Sequence, residues 1–256
     1  MTIKRNVGYV KMYYSDLHIH ALYGVDDGAK TEAEMQAIVD ASYADGIRIL
    51  CVTPHFHPGY FGDNENHAET AYQRLEAYIQ QKYPDMELYR GNELRYSRNC
   101  VSWLNSRSCH TLNGTQYVLV DFSEAVEAQK ISSALEHLLS AGYRPVLAHV
   151  ERYRALWGHK SLIHSFREKG VLLQVDAQSV LGGFGYLTQR QSRYLLENEL
   201  AYLICSDSHD VRQRPPELSR CFQLVRKKYG LDYANALFCD NGKRLLHEGA
   251  LQEELD

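Results

Sequence analysis

Residues 13–30 read YYSDLHIHALYGVDDGAK, with His18 and His20 one residue apart and Asp26, Asp27 and Gly28 soon after. Strand side chains alternate between faces, so the stretch predicts a first strand with Asp16, His18 and His20 on one side and Leu17 and Ile19 on the other. A buried face of that kind must meet something that offsets the desolvation of its polar groups. Leu17 and Ile19 are expected to pack outward against helices. VDDG reads as a turn, because Asp before Gly commonly bonds its own backbone.

Six more β-like runs follow: IRILCVT (47–53), MELYRGNE (86–93), YVLVDFS (117–123), PVLAHV (145–150), VLLQVDA (171–177) and AYLICSD (201–207). Most are apolar on both faces, the pattern of a parallel sheet covered by helices. Helical patterns alternate with them at about 66–81, 128–140, 161–169, 187–198 and 216–229, and Thr31 with Glu34 forms a capping box for a helix that starts there. Gly46, Gly142, Gly170 and Gly230 fall near expected helix ends. No linker, charge block or repeat divides the chain, so one α/β domain is expected, closing as a barrel rather than extending as an open sheet.

Composition narrows the function classes. Hydrophobic residues at 45% and charged residues at 23% are globular values that argue against disorder. With 28 basic against 32 acidic residues the net charge is -4, which gives no general attraction to nucleic acid. No apolar run is long enough to span a bilayer and the N-terminus lacks a signal-like core, so a cytoplasmic protein without membrane insertion is expected. The six cysteines are dispersed without a CxxC pair, which suggests free, mostly buried thiols. None begins a Cys-x5-Arg phosphate loop.

The chemistry gathers where strands end. His18 and His20 close the first run, the second leads to His55, the third ends at Glu93, the fourth contains Asp121, the fifth His149, and the seventh Asp207 with His209 beyond. The C-terminal strand ends of a parallel barrel share one rim, so these residues converge in space. Imidazole and carboxylate are the ligands that divalent Mn, Fe and Zn share, and a set rich in both suits a hydrolytic metal centre. An HxH pair alone is a weak signal; the further strand-end His, Asp and Glu residues make it strong.

The stretches DLHIHALYGVDDGAK, TPHFHPGYF, RGNELRY, TLNGTQYVLVDFS, PVLAHVERY, SDSHDVRQRPPEL and DNGKRLL, in order along nearly the whole chain, closely resemble the PHP-superfamily protein-tyrosine phosphatases of bacterial capsule and exopolysaccharide loci. The resemblance implies a distorted (β/α)7 TIM-like barrel of the PHP type spanning residues 13–256 after an extension at 1–12. It implies three divalent metal ions, usually Mn, with Fe, Zn or Mg as alternatives. His18, His20, Glu93 and Asp207 would hold one, with Glu93 bridging to a second that also takes Asp121 and His149. Asp27, His55 and His209 would hold the third. Arg152 and Arg214 match the arginines expected on the substrate phosphate. The family pattern usually has Glu where this chain has Asp121, a shorter ligand that puts that metal's occupancy in question. The implied activity is hydrolysis of a phosphotyrosine protein, the tail of a bacterial tyrosine kinase, by a metal-activated hydroxide. The competing readings are a small-molecule phosphatase of the histidinol-phosphate type and a non-catalytic scaffold.

Blander roles are expected elsewhere. Asp26 reads as a turn residue ahead of a ligand, and Asp16 as support behind a ligating histidine. His57 is equally a phosphate contact or a solvated ring. The remaining histidines read as surface or hydrogen-bonded, and most of the 19 tyrosines as packing.

Overall fold

The computed structural model describes residues 13–61 and 65–248. The extension at 1–12 lies outside the described residues. In chain order the elements are β1 (Tyr14–Asp16), α1 (Glu32–Asp45), β2 (Ile47–Val52), β3 (His55–Phe56), α2 (Glu65–Lys82), β4 (Glu87–Arg90), β5 (Glu93–Arg95) and α3 (Cys100–Asn105). They continue as β6 (Tyr117–Asp121), α4 (Ala128–Ser140), β7 (Arg144–Leu147), α5 (Lys160–Glu168), β8 (Leu172–Asp176), α6 (Ala177–Leu181), α7 (Tyr186–Glu197) and β9 (Leu203–Cys205), then α8 (Leu218–Tyr229), α9 (Leu231–Asn235) and α10 (Asn241–His247). Each β-like run of the sequence contains a strand, and each long helical pattern a helix. The capping box at α1 forms as expected, with Thr31 Oγ1 accepting from the Glu34 N–H at 3.2 Å. Its Glu34 carboxylate reaches one residue further back than usual, to the Lys30 N–H at 2.7 Å. Gly46 ends the same helix at φ 102°, left-handed backbone that favours glycine.

Among the described residues every pairing between these strands is parallel, in the orders β1-β2-β4 and β3-β5-β6-β7-β8-β9. The two sheets are knitted together where β2 passes into β3 and β4 into β5, by Gly91 N–H to Val52 O at 2.9 Å and Glu93 N–H to Pro54 O at 3.1 Å. β1 is shorter than its sequence run: the ladder stops at Asp16, and the chain re-pairs only at Ile19, bridged to Ser208 beyond β9. That junction is held by Asp207 N–H to His18 O and His20 N–H to Ser208 O, each 2.9 Å. The result is an α/β fold with a curled parallel sheet.

Alternation along the strands makes two apolar layers. Val118, Val120, Leu147, Leu173, Val175 and Ile204 join the main core with helix residues such as Ile38, Leu75, Leu135 and Phe166. Leu119, Val146, Ala148, Leu203 and Cys205 form a second cluster inside the curl, closed by Leu245 and Leu246 of α10. Leu17 and Ile19 part company here. Ile19 lies in the main core, whereas Leu17 joins the second cluster against α10, because the strand alternation breaks once the ladder has stopped. Asp121 follows Leu119 by two residues on one strand face, so the site sits over this second cluster.

The short α3, α6, α9 and α10 have five to seven residues each and do not complete an amphipathic repeat that sequence could reveal. All six cysteines are unpaired, with only Cys239 not fully buried. Among the described residues no helix is long and apolar enough to cross a membrane.

Candidate metal centre

The strand ends converge as the sequence predicts. His18 Nε2 and His20 Nε2 stand 3.2 Å apart. Both lie 3.3 Å from Asp207 Oδ1, and 3.3 and 3.4 Å respectively from Glu93 Oε2. Four nitrogen and oxygen donors placed tetrahedrally ~2.0–2.1 Å from a divalent ion have edges of roughly 3.3–3.4 Å. The five spacings among these buried donors therefore suit a divalent ion. Glu93 Oε2, 2.8 Å from His55 Nδ1, and His209 Nε2, 3.5 Å from Asp27 Oδ1, are buried atoms that make no well-formed hydrogen bond. Three ligand groups can be drawn among the described residues: His18, His20 and Asp207; His18, Glu93 and His149; and His20, Asp27, His55 and His209.

The other nitrogen of most of these rings is already engaged, which aims the free one at the centre. His18 Nδ1 meets Gln174 Oε1 at 3.1 Å, His20 Nδ1 meets Asp26 Oδ2 at 2.7 Å, and His209 Nδ1 meets the Asp207 carbonyl at 3.0 Å. Asp26 thus does two jobs. It is the turn residue expected, accepting from the Gly28 N–H at 2.9 Å, and it also orients His20. Asp16 supports backbone rather than imidazole, accepting from the N–H groups of His18 and Ser206 and from the Ser206 hydroxyl. His149 and Asp207 both carry positive φ, 33° and 50°, conformations that cost non-glycine residues energy and collect at functional sites.

Electrostatics favour cations here. Burial opposes charge on Glu93 and Asp207, yet neighbouring imidazoles, and Arg214 for Asp207, hold both carboxyls well below the usual range. Burial likewise opposes protonation of His18, but Glu93 and Asp207 outweigh it and raise the ring to about 9. Asp27 is held low chiefly by His209.

Asp121 stands apart. It is buried and lines the cavity, but it belongs to none of the ligand groups. Its Oδ2 lies 3.1 Å from the Arg95 guanidinium while Oδ1 has no partner. Burial, then the charge of Glu93, push its carboxyl up to about 7.

The two arginines singled out from sequence meet at one atom. Asp207 Oδ2 accepts from Arg152 at 2.9 Å and from Arg214, while Oδ1 faces His18 and His20. Arg214 Nε has no partner. Arg95, Arg152 and Arg214 line a cavity of about 200 Å³ together with Glu93, Asp121 and Asp207, and no cysteine lines it.

Sequence reasoning passed over Gln174 and Arg95. Gln174 also accepts from the His149 N–H at 2.7 Å, and a lone Gln inside the apolar run VLLQVDA was the signal available. Arg95 follows Glu93 by two on one strand, the spacing that puts it on the same face. His57 lines a neighbouring groove and stacks on Tyr60 with ring centroids 4.5 Å apart.

Beneath the arginines, Glu151 is buried and accepts from the Asp176 N–H at 3.1 Å. Burial, then the Asp176 carboxylate, push its carboxyl up to about 8 from 4.5. A folded-state pKa above the unfolded one means that its stabilising share is full below about 4.5 and is lost as pH rises to about 8. Glu151→Gln mimics the neutral form, so its melting temperature should gain on the wild type between pH 5 and 8.5, by a few degrees at the upper end. Thermal melts across that range check this; a difference that is flat with pH refutes it.

A sequence model of the family described as "Capsular polysaccharide synthesis, CpsB/CapC" matches residues 14–247. The tyrosine-protein phosphatase CpsB of Streptococcus pneumoniae is 29% identical over 236 residues, covering 90% of this chain and 97% of that protein. A crystal structure from work on YwqE of Bacillus subtilis and CpsB of Streptococcus pneumoniae, described as unique metal-dependent tyrosine phosphatases, superposes with a TM-score of 0.82 at 29% identity, over 90% of this chain and 93% of that one. The histidinol phosphate phosphatase of Lactococcus lactis shares the fold alone, with a TM-score of 0.56 at 15% identity over 85% of this chain and 94% of that one. With the match running over nearly the whole chain and most of the strand-end residues lining one cavity, the chain belongs to the CpsB/CapC family of capsular polysaccharide synthesis.

Proposed function

We propose that this chain is a metal-dependent protein-tyrosine phosphatase. The observation that carries the reading is Asp207, one oxygen of which faces the paired imidazoles while the other gathers Arg152 and Arg214. A single carboxylate thereby sets phosphate-binding cations directly against the metal ligands.

Three divalent ions, Mn in our reading, would take His18, His20, Glu93 and Asp207; Glu93, Asp121 and His149; and Asp27, His55 and His209. Such ions lower the pKa of coordinated water towards about 7 and neutralise phosphate oxygens. The chain's own part is to place and charge the phosphate. Arg152 and Arg214 offer forked donors to its equatorial oxygens, and the unpartnered Arg214 Nε supports that role. Tyrosine leaves as a phenolate whose parent acid has a pKa of about 10, so a strong general acid is less necessary than for an alkoxide. With no cysteine lining the cavity, no thiolate nucleophile is at hand.

The strand pairings support a closed (β/α)7 barrel if β2 with β3, and β4 with β5, are each counted as one interrupted strand and the Ile19–Ser208 bridge as the closure. We read residues 13–256 as that one domain, of which 62–64 and 249–256 lie outside the described residues. The unpaired thiols suit a reducing cytoplasm, and a tyrosine kinase tail of a capsule pathway is the substrate we infer.

Phosphate release from a phosphotyrosine peptide and from histidinol phosphate, with and without chelator, tests the reading. The peptide should be favoured at least 100-fold in kcat/KM, with activity lost to the chelator and restored by Mn. Preference for histidinol phosphate would shift the substrate class, and a fully metal-loaded protein that turns over no phosphomonoester would sink the enzyme. Asp121→Glu adds about 1.5 Å of reach. It should raise activity several-fold at limiting Mn and little at saturating Mn; equal activity at both would show that Asp suffices.

A further inference from the structure

We propose that a cationic groove beside the metal cavity selects phosphotyrosine segments with acidic residues next to the phosphotyrosine, a specificity that rests on the phosphatase reading above. The metal cavity, about 200 Å³, has room for a phosphorylated side chain and not for the peptide on either side of it. The flanking chain must therefore lie on adjoining surface. A groove of about 1000 Å³ adjoins directly, because Arg95 and Phe122 line both spaces.

The groove's charge is one-sided. Arg95, which also pairs with Asp121, Arg98 and Lys130 line it, and Glu127 is the single acid among its described lining residues, in a chain whose net charge is -4. Glu127 neutralises little, since it meets Lys130 at 3.5 Å with both side chains at least 70% exposed. Arg98 is exposed and makes no ion pair among the described residues. The floor is preset: the Tyr96 hydroxyl bonds His137 Nδ1 at 3.0 Å and its ring lies 5.6 Å from Phe122. A second groove that touches the metal cavity, about 700 Å³ beside Asp27 and His209, has Asp27, Glu34 and Asp210 against Lys30 and Arg212, and offers an acidic segment no such welcome.

An exposed ion pair contributes little, so the expected selectivity is modest, about five-fold for two pairs formed at once, and weaker at high salt. The test measures kcat/KM for equal-length phosphotyrosine peptides flanked by glutamates, alanines or lysines, with free phosphotyrosine as reference. The wild type should rank glutamate over alanine over lysine, and 0.5 M salt should compress the order. Arg98→Glu with Lys130→Glu should reverse the order and leave free phosphotyrosine turnover unchanged. Less than a two-fold spread among the peptides, or a spread unmoved by the double substitution, overturns the proposal while free phosphotyrosine turnover keeps the phosphatase reading. No turnover of any substrate removes that reading and the proposal together.

Discussion

Asp207→Asn is expected to lower kcat/KM for a phosphotyrosine peptide by about a thousandfold or more, some 4 kcal/mol of transition-state stabilisation. The reason lies in the two faces of this carboxylate. Oδ1 is 3.3 Å from both His18 Nε2 and His20 Nε2, and Oδ2 accepts from Arg152 and Arg214. An amide can keep an acceptor on only one of these faces. If the oxygen stays with the imidazoles, the NH2 group meets two guanidinium groups; if it turns, donors point at the metal position. Either orientation also weakens a charged contact, with the buried imidazoles on one face or the part-buried arginines on the other. Metal analysis of the purified variant should show at least one ion missing. Activity within ten-fold of the wild type, at full metal content, would remove Asp207 from its proposed place.

Gly28→Ala should be nearly as damaging, although no one would choose glycine as a catalytic residue. A Cβ at this position would lie 2.1 Å from the His20 carbonyl oxygen and 2.6 Å from His20 Cβ, so backbone must move. The turn it would displace carries Asp26, which orients His20, and Asp27, whose Oδ1 is 3.4 Å from His55 Nε2 and 3.5 Å from His209 Nε2. Overpacking of this kind costs about 1–3 kcal/mol in stability, and an ångström of misplacement at a reacting centre can cost about 100-fold in rate. Gly183→Ala is the control, since its Cβ would meet nothing closer than 3.4 Å. Turnover and thermal melts of both variants decide it: equal behaviour would mean that the turn yields without moving its aspartates.

Much of this was legible because strand-end chemistry is written locally. The runs around His149 and Asp207 are short apolar stretches broken by one ligand type each, and desolvation makes a His or Asp at such a position conspicuous. The supporting residues were harder to read. Asp26 looked like a turn residue and is one; only its 2.7 Å approach to His20 Nδ1 reveals the second duty. Gln174 reaches His18 and the His149 backbone from a strand more than a hundred residues after His18, a partnership that no local pattern encodes.

From the sequence alone came the alternation of strands and helices and the residue types of the candidate centre, because periodicity and burial cost act over a few neighbouring positions. The tertiary structure alone decided that β1 stops at Asp16 and that Leu17 turns to α10. It also decided that Asp207 shares its oxygens between imidazoles and arginines, and that Asp121 leans on Arg95. These depend on angles and distances between distant segments, which are set by how the sheet curls and which a linear order of side chains does not contain.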